Sequence, residues 1–237
     1  MIKHYLKVAF RNLMKYKTQS LVSIIGLAVG FTCFALSVLW IRYEMTYDTF
    51  HKGAERIYMV RAHYTDIPEH ISNSTPYPLA AYLQEKMPEI EAKATTSIHQ
   101  NVKIRMENDE YEVVMAAADS AFMNFFHIQL LKGTVNFLKE NNPEIAVTEE
   151  FAKKLFGSED DALGKEMEVN GRSRQIGAIV SGWSRHSNIP YSVLVAARHS
   201  PRWKSGPEQL FIRVRAGMDM DTFWKKISTM DLSDIQK

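Results

Sequence analysis

From Leu21 to Ile41 the chain reads LVSIIGLAVGFTCFALSVLWI, 21 residues without one charged side chain. At about 1.5 Å per residue such a helix is roughly 31 Å long, close to the ~30 Å hydrocarbon thickness of a bilayer. Two soluble readings compete with a membrane span. A secretory signal carries an apolar region of about 7 to 15 residues and a small-x-small cleavage site. This run is longer, and it leads into Trp40-Ile41-Arg42-Tyr43 rather than small residues. A buried core helix of this length without a charge would be unusual. The run therefore reads as a transmembrane helix over residues 20–41.

The flanks orient it. Lys3, Lys7, Arg11, Lys15 and Lys17 precede the run with no acid among them, whereas Arg42 is soon offset by Glu44 and Asp48. The positive-inside rule places the N-terminus in the cytoplasm and the remainder outside. Ile2, Tyr5, Leu6, Ala9, Phe10, Leu13 and Met14 fall on one helical stripe, with the cations mostly opposite. Residues 1–19 thus suit a helix lying on membrane lipid at the inner surface; a disordered basic leader is the alternative. Gly26 and Gly30 form a GxxxG in the span, a spacing that lets another helix approach closely, although glycine is common in membrane helices anyway.

The chain as a whole has 29 basic and 27 acidic residues, a net charge of +2. Without the five leading cations the remainder has 24 basic residues against 27 acidic. A nucleic-acid binder spreads a basic face over its folded domain, so no nucleic acid is expected as a partner. The one cysteine, Cys33, excludes an intrachain disulfide. The region after residue 42 must hold itself together by burying apolar surface.

Trp40, Tyr43, Tyr47 and Phe50 continue the helical period past the apolar run. Trp40 and Tyr43 suit the headgroup level. Tyr47 and Phe50 would carry the helix onward as a stalk, residues 42–54, ending near Gly53 as a C-cap. Tyr58, Val60, Ala62 and Tyr64 then alternate with Ile57, Met59, Arg61 and His63, the period of a strand. After a polar loop, a helix begins at Pro78 with Leu79, Leu83 and Met87 on one side, and Glu91 to His99 reads as a second strand. Strand, helix, strand over about 40 residues forms a βαβ layer.

Further on, VKIRM and YEVVMAAA flank a polar ENDE turn, which reads as a hairpin. Asp119 can cap a short helix through Phe122, Phe125 and Phe126. EIAVTEEFAKKLFG carries full helix signals: a strand from Glu144 to Val147, Thr148 as N-cap, acids in the first turn, lysines in the last and Gly157 as stop. Strands are expected at Glu166–Val169, Arg174–Val180, Tyr191–Ala196 and Gln209–Arg215, and an amphipathic helix from Asp219 with Phe223, Trp224 and Ile227.

No catalytic pattern assembles along the sequence. GSEDDALGKE has six residues between its glycines, not four, and Glu166 where a phosphate-binding loop needs Ser or Thr. The eight histidines fall at no metalloprotease or zinc-finger spacing. Asp48 and His51, one turn apart, lack a nucleophile or third ligand nearby and read as a surface or stalk-packing pair. Ser184 to Ser187 read as a solvated loop rather than a triad. Expected catalytic, cofactor-binding and metal residues are therefore none.

The pieces, in order, resemble the MacB/FtsX-type ABC transporter permeases, particularly the subgroup common in Bacteroidetes. RNLMKYKTQSLVSIIGLAVGF is similar to the family's entry helix and first span, and YEMTYDTFHKGAERIYMV to its stalk-to-domain junction. FFHIQLLKGT, EIAVTEEFAKKLFG and ALGKEMEVNG resemble three consecutive motifs of the periplasmic core domain; YSVLVAARHS and FIRVRAGMDMDTFWKKI resemble the strands and helix that follow. The departures are Met59, where a basic residue is frequent, and SGWSRHSNIP, which lacks an acidic-x-proline feature.

The resemblance implies an α+β periplasmic core over 55–237. Its porter-like parts would be 55–100 and 208–237, with a mainly β, sabre-like insertion at 101–207. It implies a non-catalytic subunit of the inner membrane that couples ATP hydrolysis to periplasmic movement for export, with Trp40, Tyr43, Tyr47 and Phe50 as the coupling stripe. No cofactor is expected on this chain; ATP and magnesium would lie on an ABC ATPase subunit. A second permease copy and a periplasmic adaptor or substrate are the other implied partners. Later spans and a cytoplasmic coupling loop are lacking from these residues, so a truncated gene product, a fragment of a longer reading frame or a split subunit is expected. The competing expectation is a stand-alone single-pass sensor or adaptor.

Overall fold

The computed structural model describes residues 2–63, 71–106, 109–183, 186–200, 202–203 and 208–230. Tyr64, Glu107, Asn108, Ser184 and Arg185, which figure in the sequence reading, lie outside these residues. The chain divides into two compact units, Met1–Tyr47 and Asp48–Lys237.

The first unit is two helices, α1 (Ile2–Lys15) and α2 (Lys17–Met45), broken at Tyr16 where φ is −109° and ψ is 56°. α2 leaves no residue buried, and its mean hydropathy reaches 2.3. A helix apolar all round with nothing covering it is suited to lipid. The helix stops at Met45, not near Gly53 as expected of a stalk. Thr46 terminates it: its hydroxyl donates to the carbonyls of Arg42 and Tyr43, taking up acceptors that a further turn would use. Gly53, with φ of 76°, instead opens the short 3-10 turn Ala54–Arg56.

The second unit strings together β1 (Ile57–Val60), β2 (Ala62–His63), β3 (Ile71–Ser72), α3 (Tyr77–Lys86), β4 (Ile90–Met106), β5 (Asp109–Ala118) and α4 (Phe122–Phe126). There follow β6 (Leu130–Gly133), β7 (Glu144–Thr148), α5 (Glu149–Phe156), α6 (Glu159–Ala162), β8 (Glu166–Val169), β9 (Arg172–Val180), β10 (Val193–Ala196), β11 (Gln209–Val214) and α7 (Met220–Ser228). Nine strands share one sheet in the order β1-β11-β4-β5-β10-β7-β9-β6, while β8 pairs with both β4 and β9.

Two sub-assemblies emerge from that order. β11 lies antiparallel between β1 and β4, so β1, α3 and β4 form a βαβ unit split by a strand from far along the chain. α3 and α7 cover one face of it. Leu79, Leu83, Met87, Leu210, Ile212 and Phe223 form that core. The second assembly is a circuit: β4, β5, β10, β7, β9 and β8 are joined pairwise, and β8 returns to β4 through Ile104 and Arg105. Closing strands on one another removes exposed edges. Along β7 the side chains alternate between two apolar clusters, Ile145 and Val147 in one and Ala146 in the other.

Candidate functional site

The residues with which the second unit begins are clasped to two distant segments. Asp48 has φ of 56°, a left-handed conformation that aspartate tolerates better than most side chains. Its N–H donates to the His186 carbonyl at 3.2 Å, and its own carbonyl accepts from His51 N–H at 3.2 Å. Its carboxylate accepts from the Ser187 hydroxyl, from Asn188 Nδ2 at 2.8 Å and from Asn188 N–H at 3.2 Å. Ser187 is 5% exposed, so the solvated-loop reading is corrected at Ser187. The Asp48 carboxylate, more than a hundred residues earlier, supplies the acceptor that lets the hydroxyl be buried.

His51 is buried among aromatic rings. Its ring lies 4.7 Å from Trp183, 5.0 Å from Phe126 and 4.2 Å from Phe50, centroid to centroid. Its Nε2 is 4.0 Å from Asp48 Oδ1, beyond hydrogen-bond reach. Burial holds the imidazole below its ordinary value, against the opposing pull of Asp48 and a backbone hydrogen bond at Phe126. Trp183 is the hub of the cluster and also meets Phe122 at 5.7 Å and Tyr191 at 5.0 Å. Burial likewise pushes the Tyr191 phenol up, and its hydroxyl donates to the Ser181 carbonyl at 3.2 Å. A third tie follows at Arg56, whose guanidinium donates to Glu91 at 2.8 Å and to the Val214 carbonyl at 3.2 Å.

Beside the clasp is a cleft of about 450 Å³. Ile57, Met59 and Phe211 line it from β1 and β11, with Phe126 and Ile189; Asp48, Arg61, Asn73 and Gln209 supply polar groups. Its size is that of a small-molecule pocket. Among the described residues no group of three His, Cys, Asp or Glu side chains could hold a metal ion.

The expected coupling stripe is divided between the two units. In the first, Trp40 and Tyr43 have ring centroids 6.2 Å apart, and Tyr43 and Tyr47 meet edge-on at 5.6 Å. Phe50 belongs to the second unit, 6.5 Å from Trp183. Gly26 and Gly30 are exposed on α2, and a methyl group at either would meet nothing within 4 Å. Sequence reasoning missed the role of Asp48 with Ser187 and Asn188, and that of Trp183. No local spacing announces a clasp whose halves lie so far apart; an aspartate in a polar turn was the only signal.

No curated protein matches the chain at a significant level. Among solved structures it is similar to a domain described as part of a permease protein from Porphyromonas gingivalis. That likeness has 20% identity and a TM-score of 0.60 over 77% of this chain and 88% of that one. It is similar to the periplasmic region of MacB from Actinobacillus actinomycetemcomitans, with 11% identity and a TM-score of 0.54, over 76% and 83% of the two chains. The extracellular domain of the noncanonic ABC-type transporter YknZ from Gram-positive bacteria follows, with 11% identity and a TM-score of 0.51 over 70% and 86%. These likenesses establish the mixed α+β fold. The family model described as the MacB-like periplasmic core domain matches residues 20–230, both the apolar helix and the domain after it, and the chain belongs to that family.

Proposed function

We propose that this chain is the anchored, non-catalytic permease portion of an ABC transporter, coupling cytoplasmic ATP hydrolysis to movement of its periplasmic domain. The observation that carries the reading is the family match, which takes in the lipid-suited helix together with the α+β domain. In this reading the N-terminus is cytoplasmic and α2 crosses the inner membrane. ATP and magnesium are held by a separate ATPase subunit, and a second permease copy completes the transporter. A periplasmic adaptor or substrate meets the exported domain. The split βαβ unit supports assigning residues 55–100 and 208–237 to a porter-like part, and the strand circuit supports a mainly β insertion between them.

Trp40, Tyr43 and Tyr47 then carry motion toward the domain, and Phe50 receives it on Trp183. The test is Tyr47→Ala in the assembled transporter. ATP turnover persists, export falls, and the periplasmic domain keeps its thermal unfolding temperature. Unchanged export removes the coupling role of the stripe. A second reading, a single-pass sensor or adaptor, is favoured by the cleft over β1 and β11. Copurification of the full chain with a nucleotide-binding subunit decides for the transporter; its failure under conditions that retain the membrane decides for the sensor.

A further inference from the structure

A groove of about 530 Å³ opens in the elbow between α1 and α2. Along α2 its lining changes from polar to apolar, with Gln19, Ser20 and Ser23 giving way to Ile24 and Leu27 over about 12 Å of helix rise. From α1, Ala9 and Leu13 add apolar wall and Asn12 a polar amide, while Tyr16 lies at the break. Lys15 places its ammonium 5.4 Å from the centre of the Tyr16 ring. Lys7, Arg11 and Lys15 are exposed at successive four-residue steps, about 6 Å apart along α1. Lys17 opens α2, and the first acid in the whole chain is Glu44. These cations therefore meet no carboxylate within the first two helices until α2 is ending.

We propose that this elbow is a binding site for an anionic glycerophospholipid of the leaflet in which α1 lies. The inference rests on the reading of α2 as a membrane span. The phosphate and glycerol region is held at the rim by Tyr16, Gln19 and Ser20 within the field of Lys15 and Lys17, and one acyl chain runs against Leu13, Ile24 and Leu27. Charge decides the occupant. A neighbouring apolar helix would fill the wall but leave the rim amides and hydroxyls facing hydrocarbon and the cations uncompensated, whereas an anionic lipid answers both ends of the groove.

The test uses the full chain reconstituted with equal parts of phosphatidylethanolamine and phosphatidylglycerol, then extracted in mild detergent and weighed by native mass spectrometry. Phosphatidylglycerol is expected to be retained in preference. Lys15→Gln and Lys17→Gln each lower that preference about fivefold, and Ser20→Phe, which fills the groove, removes the retained lipid while leaving the chain in the membrane. Equal retention of the two lipids, or retention unchanged by Ser20→Phe, overturns the site. So does efficient cross-linking between two copies carrying Ser20→Cys, which would make a second helix the occupant. Release of the unsubstituted chain by an alkaline wash would overturn the membrane span itself, an outcome distinct from loss of lipid preference in a chain that stays inserted.

Discussion

At the scale of single residues, Asp48 and His51 carry the clearest consequences. The Asp48 carboxylate satisfies a buried hydroxyl and a backbone amide, and hydrogen bonds to a charged acceptor contribute about 1.5–3 kcal/mol. Asp48→Ala is expected to lower the urea-unfolding stability of the domain by about 2–3 kcal/mol. Asp48→Asn retains an acceptor and the tolerance for positive φ, and loses less. An alanine variant within 0.5 kcal/mol of the parent, roughly the scatter of an ordinary surface change, would show that the clasp contributes little. His51 sets a pH dependence. Because its folded value lies below the ordinary 6.5, the unfolded chain takes up this proton more readily. The stability it confers is therefore present above about pH 6.5 and lost as pH falls toward the folded value. Asp48, which opposes the shift, and His127, which adds to it, are the other titratable groups acting on this ring. Between about pH 7.5 and pH 5.5 the parent's urea midpoint should drop more than that of His51→Phe; parallel curves would assign the acid sensitivity elsewhere.

At the scale of elements, the strongest local signals were also the ones that held. Thr148 caps α5 as its sequence predicts, accepting from the Phe151 N–H at 3.3 Å, and Asp219 caps α7 by accepting from Asp221 N–H. Loss of an N-cap costs about 1 kcal/mol, so Thr148→Ala should reduce stability by about that much and Thr148→Ser should recover most of it, read by chemical denaturation. Legibility failed where pairing, rather than periodicity, decides. The sequence reading ends one strand at His99 and opens the next at Val102, yet β4 runs through both as one strand of 17 residues. Asn101 takes φ of 54° at an irregularity between His99 and Val102, and the ladder with β5 resumes beyond it. β6 was missed because four residues carry too little pattern to stand above a loop. What defines it is β9: Gly133 has φ of 82°, and a Cβ there would fall 2.1 Å from the Gly177 carbonyl oxygen. Gly133→Ala should therefore be among the most damaging single-methyl changes in the domain, lowering its melting temperature and releasing the β6 edge to proteolysis; a melting curve like the parent's would show that β6 is not held so closely.

At the scale of the whole molecule, the two units differ in how they treat apolar surface. Among the described residues the second is held by three apolar clusters and a sheet part of which closes on itself through β8. The first buries nothing along 29 residues of α2, as suits a helix surrounded by lipid. The sequence could reveal that contrast because an uncharged run is a local feature, whereas the insertion of β11 between β1 and β4 depends on residues more than a hundred positions apart. In the proposed topology, orientation is a matter of charge distribution. Five cations before the span and an acid-offset exit favour an inward N-terminus. A reporter enzyme active only after export, fused beyond α7, should be fully active on the parent chain. Replacing Lys3, Lys7, Arg11, Lys15 and Lys17 by Gln should leave the span inserted yet divide the population between two orientations, with reporter activity falling and cytoplasmic protease protection of the domain falling in step. If activity stays at the parental level, the folded bulk of the domain or the interfacial aromatics at Trp40 and Tyr43 fix the orientation, and the leading cations serve the membrane surface alone.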